Sequence, residues 1–303
     1  MSSSPPLPAA AAPFRPPGVA APRYRRGRRM RARLLAWSTP LAVFVAVAAL
    51  GPALVPYDPV TVRLGERLKP PGAVLEHGAK AWLGTDQVGK DLLAQVLQGA
   101  RISLFVSVTT VIAAGLIGLV TGVGAGYAGR TTDALLMRLA DLQLAFPSIL
   151  LAILIAAVLG PSIANVIITL SVTRWVTFAR VARASTLVTK EREFVMAAHA
   201  TGARVARLVG RHIVPFAVTP LIVVATVEMG LVILAEASLS FLGLGAPPDH
   251  PSWGLIIANG RNYLSSAWWI STMPGIALSL VVIAIGQFGD TLRDYLDPRT
   301  VSE

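Results

Sequence analysis

Six apolar runs, each long enough to cross a bilayer, constrain this chain more than any other feature. A span needs about 20 mostly apolar residues. Runs of that length occupy residues 34–55, 102–127, 135–159, 163–182, 216–244 and 268–288. Of the 303 residues, 54% are hydrophobic and only 14% charged, whereas soluble domains carry about 25% charged residues. An ordinary soluble globule, a coiled coil and a disordered chain are all excluded by that balance. The expected fold class is an all-α integral membrane protein with six spans. The fourth run is the weakest, because Arg174 and Arg180 lie in its second half. A charge at a helix centre costs about 2.5–3.5 kcal/mol on insertion scales. This run is therefore expected to shift toward 162–178, its guanidinium groups reaching for the interface.

The net charge of +11 is distributed by topology. Eight arginines (Arg15, Arg23, Arg25, Arg26, Arg28, Arg29, Arg31, Arg33) precede the first run without a single acid. Residues 173–211 hold eight more basic residues against Glu191 and Glu193. By contrast, 57–101 is nearly balanced and 245–267 carries one charge of each sign. The excess of Lys and Arg in cytoplasmic loops then places the N-terminus, the loop after the fourth run and the C-terminus in the cytoplasm. Nucleic-acid binding is not needed to explain the charge. Residues 1–33 contain seven prolines and no apolar periodicity, which reads as a disordered Pro/Arg-rich cytoplasmic tail. The run at 34–55 is too long for a cleaved signal and reads as an uncleaved anchor.

Chemistry-bearing motifs are sparse. Gly84-Thr-Asp-Gln-Val-Gly89-Lys90-Asp91 is one residue short of a phosphate-binding P-loop. That motif needs Ser or Thr after the lysine and a preceding strand; Asp91 would repel phosphate, and the topology puts the segment outside. The chain is not expected to hydrolyse ATP. There is no cysteine, the four histidines are scattered, and H-E-x-x-H and G-x-S-x-G are absent, so no catalytic residue and no metal site are expected.

Three features remain. Gly118, Gly122 and Gly126 form overlapping G-x-x-x-G steps, a smooth face for close helix packing. Glu228 and Glu236 lie inside the fifth run, where a carboxylate is costly and marks a pathway or a structural hydrogen bond. They are about two turns apart and can share one helix face. The segment 191–215 predicts a short helix over 194–201 ending at Gly202, then a second over 203–213 stopped by Pro215. On so basic a loop, the first helix has the form of a docking knob for a cytosolic partner.

Met196-Ala-Ala198, then Gly202, then His212-Ile-Val-Pro215 resembles the E-A-A loop of ATP-binding-cassette (ABC) importer permeases. Trp82-Leu-Gly-Thr-Asp-Gln-Val-Gly-Lys-Asp91 with Gly99-Ala-Arg-Ile-Ser-Leu104 is similar to the extracytoplasmic signature of the C-type permease of dipeptide, oligopeptide and nickel importers. Glu236-Ala-Ser-Leu-Ser-Phe-Leu-Gly-Leu-Gly245, Pro251-Ser-Trp-Gly254, Ala267-Trp-Trp269 and Gly289-Asp-Thr-Leu-Arg-Asp-Tyr-Leu-Asp-Pro-Arg299 follow in the expected order. The chain departs from the family pattern at Met196, in place of the E-A-A glutamate, at Lys90 and at Phe216.

The resemblance implies a type I importer permease in a bacterial cytoplasmic (inner) membrane. Its divisions would be a tail at 1–33, a first span and extracytoplasmic loop at 34–101, a five-span core at 102–290 with the coupling loop at 190–215, and a cytoplasmic tail at 291–303. Val195, Met196, Ala197, Ala198, His199, Thr201, Gly202 and Pro215 would couple to the ATPase. The implied partners are a related permease chain in a heterodimer, two cytosolic ATPase subunits that hold ATP and Mg, and an extracytoplasmic solute-binding protein. This chain itself would bind no cofactor. Trp253 and Tyr263 would face the binding protein, while Trp268 and Trp269 suit the membrane interface. Small peptides are the expected cargo, with nickel chelates, glutathione or oligosaccharides as alternatives. A stand-alone secondary transporter would need inverted repeats and ion-coupling residues; no convincing repeat is seen. A non-transporting scaffold is the remaining rival.

Overall fold

The computed structural model describes residues 23–55, 58, 61–76 and 78–296. Ten α-helices, one two-stranded hairpin, two 3-10 turns (Leu64–Glu66 and Arg261–Tyr263) and one π-helical turn make up the regular structure among these residues. In chain order they are α1 (Arg23–Leu54), β1 (Ala73–Val74), β2 (Lys80–Ala81), α2 (Leu92–Ala128), α3 (Arg130–Leu144), α4 (Ser148–Leu159), α5 (Ile163–Lys190), α6 (Glu193–Ala200), α7 (Val205–Leu208), α8 (Val214–Phe241), α9 (Trp253–Gly260) and α10 (Trp269–Leu296). One π-helical turn at Val209–Ile213 joins α7 to α8. Segments Arg33–Leu54, Leu92–Ala128, Val205–Phe241 and Trp269–Leu296 are each long and apolar enough to cross a membrane, and α3 with α4 supplies a fifth, bent candidate. The protein is a multi-pass membrane protein with a mostly helical fold.

Several boundaries differ from the sequence reading. Helix α1 begins at Arg23, within the expected tail, of which residues 1–22 lie outside the described set. Helix α2 begins at Leu92, ten residues before the apolar run, because the Asp91 side chain accepts a hydrogen bond from Ala94 N and caps it. The run at 135–159 is two helices bent by 88°. Pro147 lacks an N–H and disfavours helical geometry at Phe146, so a hydropathy window averages across a break. Pro215 does not stop a helix. It occupies the first turn of α8, where a missing N–H costs nothing. Helix α10 continues to Leu296, and the rest of the expected C-terminal tail lies outside the described residues.

Packing centres on α2 against α5. A Cβ added at Gly118 would lie 2.4 Å from Phe178 Cβ, at Gly122 2.3 Å from the Ala179 carbonyl, and at Gly126 2.8 Å from Thr186 Cβ. Only glycine permits that approach. Around this seam, Ile102, Leu170, Val232 and Leu239 join α2, α5 and α8. Phe44, Leu92, Trp253 and Ile270 join α1, α2, α9 and α10. Phe178, Leu208, Ile213 and Ala217 close the end nearest residues 191–213. Large apolar side chains such as Leu50, Val120, Leu154 and Leu280 point outward, as a bilayer solvent requires.

Candidate functional site: the 191–213 loop and its supports

Residues 191–213 leave α5 and return to α8 carrying α6 at their tip. Of the eight residues in α6, Val195 alone is buried. Met196, Ala197, His199, Thr201 and Gly202 are exposed and Ala198 is half-buried. The helix ends in a Schellman motif: Gly202 N donates to His199 O at 3.0 Å, and Ala203 N donates to Ala198 O at 3.1 Å. Gly202 supplies the left-handed residue that this closure needs, with φ +80°. At the other end, the Phe194 ring lies 5.4 Å from Phe216 and 6.2 Å from His212, and the Arg192 guanidinium sits 5.1 Å from the Phe216 ring. A short, rigid, outward-facing helix is thus pinned to the start of α8 by an aromatic cluster. Pro215 sits beside that cluster in the chain and fixes the entry into α8.

The base of the loop is tied to the rest of the molecule. Lys190 Nζ donates to the Gly126 carbonyl at 3.2 Å, joining the ends of α5 and α2. The arginines in and just after the fourth run meet carboxylates. Arg180 pairs with Asp141 at 2.6 Å, Arg183 forks onto Asp133, and Arg174 Nη1 lies 3.7 Å from Glu228. An acid on a neighbouring helix lowers the cost of burying an arginine such as Arg174, whose side chain is 20% exposed.

Glu228 and Glu236 are both buried but serve different surroundings. Glu228 faces Arg174 and is hydrogen-bonded by Thr177 on α5. Glu236 accepts from Ser103 of α2 at 3.2 Å and from Ser240, one turn on in α8, at 2.7 Å, and Ser252 at the start of α9 hydrogen-bonds it as well. One carboxyl group therefore holds three elements together. Sequence reasoning missed Arg174 as the partner of Glu228, and Ser103, Ser240 and Ser252 as the partners of Glu236. The signal for Arg174 was present, an opposite charge on an adjacent run; the serines carry none.

The P-loop-like segment is a clasp. Asp86 accepts from Val88 N at 2.9 Å, Lys90 N at 2.8 Å and Gln95 Nε2 at 2.8 Å, filling with a carboxylate the nest a phosphate would need. Trp269 Nε1 donates to Thr85 O at 3.1 Å and fixes the segment to α10. Two expectations are corrected here. Trp253 is 2% exposed, its indole donating to Val96 O at 2.9 Å, and Trp269 is 6% exposed. Neither faces outward, because each indole N–H finds a carbonyl inside; Trp268 does remain exposed.

Comparison with known proteins agrees with this architecture. Residues 92–302 match the family described as "Binding-protein-dependent transport system inner membrane component". A putative peptide transport system permease protein of Brucella abortus is 44% identical over 263 residues, covering 87% of this chain and 86% of the relative. A dipeptide transport system permease protein of Alkalihalophilus pseudofirmus is 40% identical, covering 86% and 83%. A glutathione transport system permease protein of Pectobacterium atrosepticum is 36% identical, covering 86% and 85%. Among solved structures, an inward-facing MetNI methionine ABC transporter chain is similar with a TM-score of 0.53 at 18% identity, covering 67% of this chain and 97% of that one; this likeness concerns the fold alone. The chain belongs to the family of binding-protein-dependent transport system inner membrane components, and is a membrane permease subunit of an ABC importer rather than an enzyme.

Proposed function

We infer that this chain is the C-type permease subunit of an importer that carries small peptides into the cytoplasm, with α6 as its coupling helix. The observation that carries the reading is α6 itself, a glycine-capped helix with one buried residue, held at the tip of a basic loop. Val195, Met196, Ala197, Ala198, His199, Thr201 and Gly202 would form the knob that enters a groove on a cytosolic ATPase. Pro215 would keep its stem in register with α8. Met196 stands where the family pattern has glutamate, so the contact at that position would be apolar. ATP and Mg would be held by two ATPase chains, and a related permease chain and an extracytoplasmic solute-binding protein would complete the assembly.

In this reading α1, α2, α3 with α4, α5, α8 and α10 are the six spans, and both termini are cytoplasmic. The bent α3–α4 pair counts as one span, and α5 crosses with its arginines paired to Asp133, Asp141 and Glu228. The even number of crossings and the basic 173–211 region support the orientation. Gly118, Gly122 and Gly126 would serve helix packing within the chain. Glu228 would line the transport path. Peptide cargo is supported by the names of the relatives from Brucella abortus and Alkalihalophilus pseudofirmus. The relative named for glutathione, at 36% identity, favours that tripeptide as a second cargo.

The test is a tagged chain gently solubilised from its native membrane, with co-purifying proteins identified by mass spectrometry, followed by reconstitution. Two nucleotide-binding chains and a second permease are expected. Gly202→Pro is expected to leave ATP hydrolysis running while abolishing uptake. Retained ATP-coupled uptake in that variant would sink the coupling assignment.

A further inference from the structure

Helices α5 and α8 lead into and out of the 191–213 loop, so motion at α6 passes into them along the chain. Two apolar clusters pack one helix against the other. Leu170 of α5 joins Val232 and Leu239 of α8 in the first, and Phe178 and Ala182 join Ala217 and Leu221 in the second. Along both helices, Arg174 and Glu228 fall between these clusters, 3.7 Å apart. The other arginines of α5 are held more tightly. Arg180 and Arg183 meet Asp141 and Asp133 of α3 at hydrogen-bond length, 2.6 and 2.5 Å. The charged contacts with α3 are made, whereas the one with α8 is not closed.

At 3.7 Å, Arg174 Nη1 and Glu228 Oε2 attract each other but stand about 1 Å beyond a charge-assisted hydrogen bond. Oε2 of Glu228 and Nε of Arg174 are both buried without a hydrogen-bond partner. Thr177 of α5 serves the same carboxyl group and leaves Oε2 unserved. A buried ion pair offsets its desolvation only when its geometry is good and its remaining atoms are hydrogen-bonded. This arrangement therefore holds free energy that a closer one would release. There is room for closure. A cavity of about 550 Å³ lies beside the carboxyl group, bordered by Thr177 and Val181 of α5, Val224 and Glu228 of α8, and Arg293 of α10. Shifts of about 1–2 Å between packed helices are usual in switching transitions, and one of that size spans the missing distance.

We propose that Arg174 and Glu228 form a latch between the two helices that carry the loop, open in this structure and closed by direct hydrogen bonds when ATP binding by the partner subunits draws α5 and α8 together. The proposal rests on the reading of α6 as the coupling helix, and it assigns two positioning residues to that coupling. With the latch open, α8 is free to shift against α5. With it closed, the guanidinium and the carboxylate satisfy each other, and the two helices carry motion from α6 as one unit. The tight contacts of Arg180 and Arg183 keep α3 with α5 in both states.

The experiment uses the complete importer reconstituted in liposomes. The chain has no cysteine, so Val224→Cys places its single thiol on the cavity wall. Modification of that thiol by a methanethiosulfonate reagent is expected to slow about tenfold when ATP and vanadate trap the closed ATPase pair, as a shift from mostly open to mostly closed requires. An equal rate in the free and trapped complexes means a static, water-bridged pair and overturns the latch, whether or not further variants assemble. Uptake of radiolabelled alanyl-alanine per ATP hydrolysed supplies the second readout. Glu228→Gln and Arg174→Gln are each expected to lower that ratio about tenfold, the size of one charge-assisted contact, and the double variant is expected to lower it no further. The charge exchange Arg174→Glu with Glu228→Arg should restore part of the loss. A pair that only steadies the fold would lower uptake and hydrolysis together, and single losses that multiply would mean that the two residues act apart; either result overturns the proposal. The coupling reading fails separately, through a Gly202→Pro chain that still couples ATP hydrolysis to uptake.

Discussion

Arg183 holds Asp133 with two parallel contacts, Nε to Oδ1 at 2.5 Å and Nη2 to Oδ2 at 2.6 Å. This fork is what fastens α3, which begins directly after the Gly129 turn, to the end of α5. Lysine cannot reproduce the fork, so Arg183→Lys is expected to lower stability by about 1 kcal/mol. The charge exchange Asp133→Arg with Arg183→Asp should recover part of that loss. Thermal unfolding of the purified complex, followed by size-exclusion chromatography, checks both.

The glycine seam discriminates between neighbouring positions of one helix. Gly122→Val places a side chain against the Ala179 carbonyl and is expected to destabilise the protein by about 1–3 kcal/mol or to prevent its assembly. Gly124 has nothing within 4 Å of an added Cβ. Gly124→Ala should therefore raise the unfolding temperature, by the equivalent of about 0.5–1 kcal/mol of helix propensity. Equal behaviour of the two substitutions would contradict the packing described.

Glu236 gathers serines from three elements, and its variants should rank by what they leave unsatisfied. Glu236→Ala orphans buried hydroxyl groups, at about 1–3 kcal/mol. Glu236→Gln keeps an acceptor in place and is expected to lose less than half as much. Parallel melting curves for the two variants decide the matter.

The Asp86 clasp should be visible to proteases. Asp86→Ala removes the acceptor for Val88 N, Lys90 N and Gln95 Nε2 together. Cleavage within residues 61–91 is expected to become much faster, while the helices stay intact. An unchanged cleavage pattern would mean that the backbone hydrogen bonds of the segment, with Trp269, hold it without the Asp86 side chain.

At Gly202 the expectation concerns conformation rather than space, since nothing lies within 4 Å of an added Cβ. Gly202→Ala imposes a left-handed penalty of about 1–2 kcal/mol, and Gly202→Asn, which tolerates that region better, should cost less. Hydrogen exchange across residues 193–204 is expected to speed up in that order.

How far the sequence reaches depends on whether a signal is local. The apolar runs, the glycine stripe and the Gly202 helix end are written within a few consecutive turns; four of the runs reappear as single apolar helices long enough to span and a fifth as a bent pair. The break before α4 was also written, in Pro147, but averaging over a long apolar window hides it. The indole partners of Trp253 and Trp269 were not legible. Each bonds a carbonyl more than 150 residues away, and an aromatic near a span end reads as an interface anchor until tertiary structure says otherwise. The same holds for Glu236, whose serine on α2 is 133 residues distant.

Because the π-helical turn at Val209–Ile213 carries α7 into α8 without interruption, Val205–Phe241 is a single rod of 37 residues. At 1.5 Å per residue it is about 55 Å long. Moving as one body, it would work as a lever. A tilt of about 5° applied beside α6 would sweep the opposite tip through about 5 Å, a distance comparable to the width of a peptide backbone. Were a partner to engage α6 as proposed, a small push at that end would become a larger displacement at the other, with the π turn close to the engaged end.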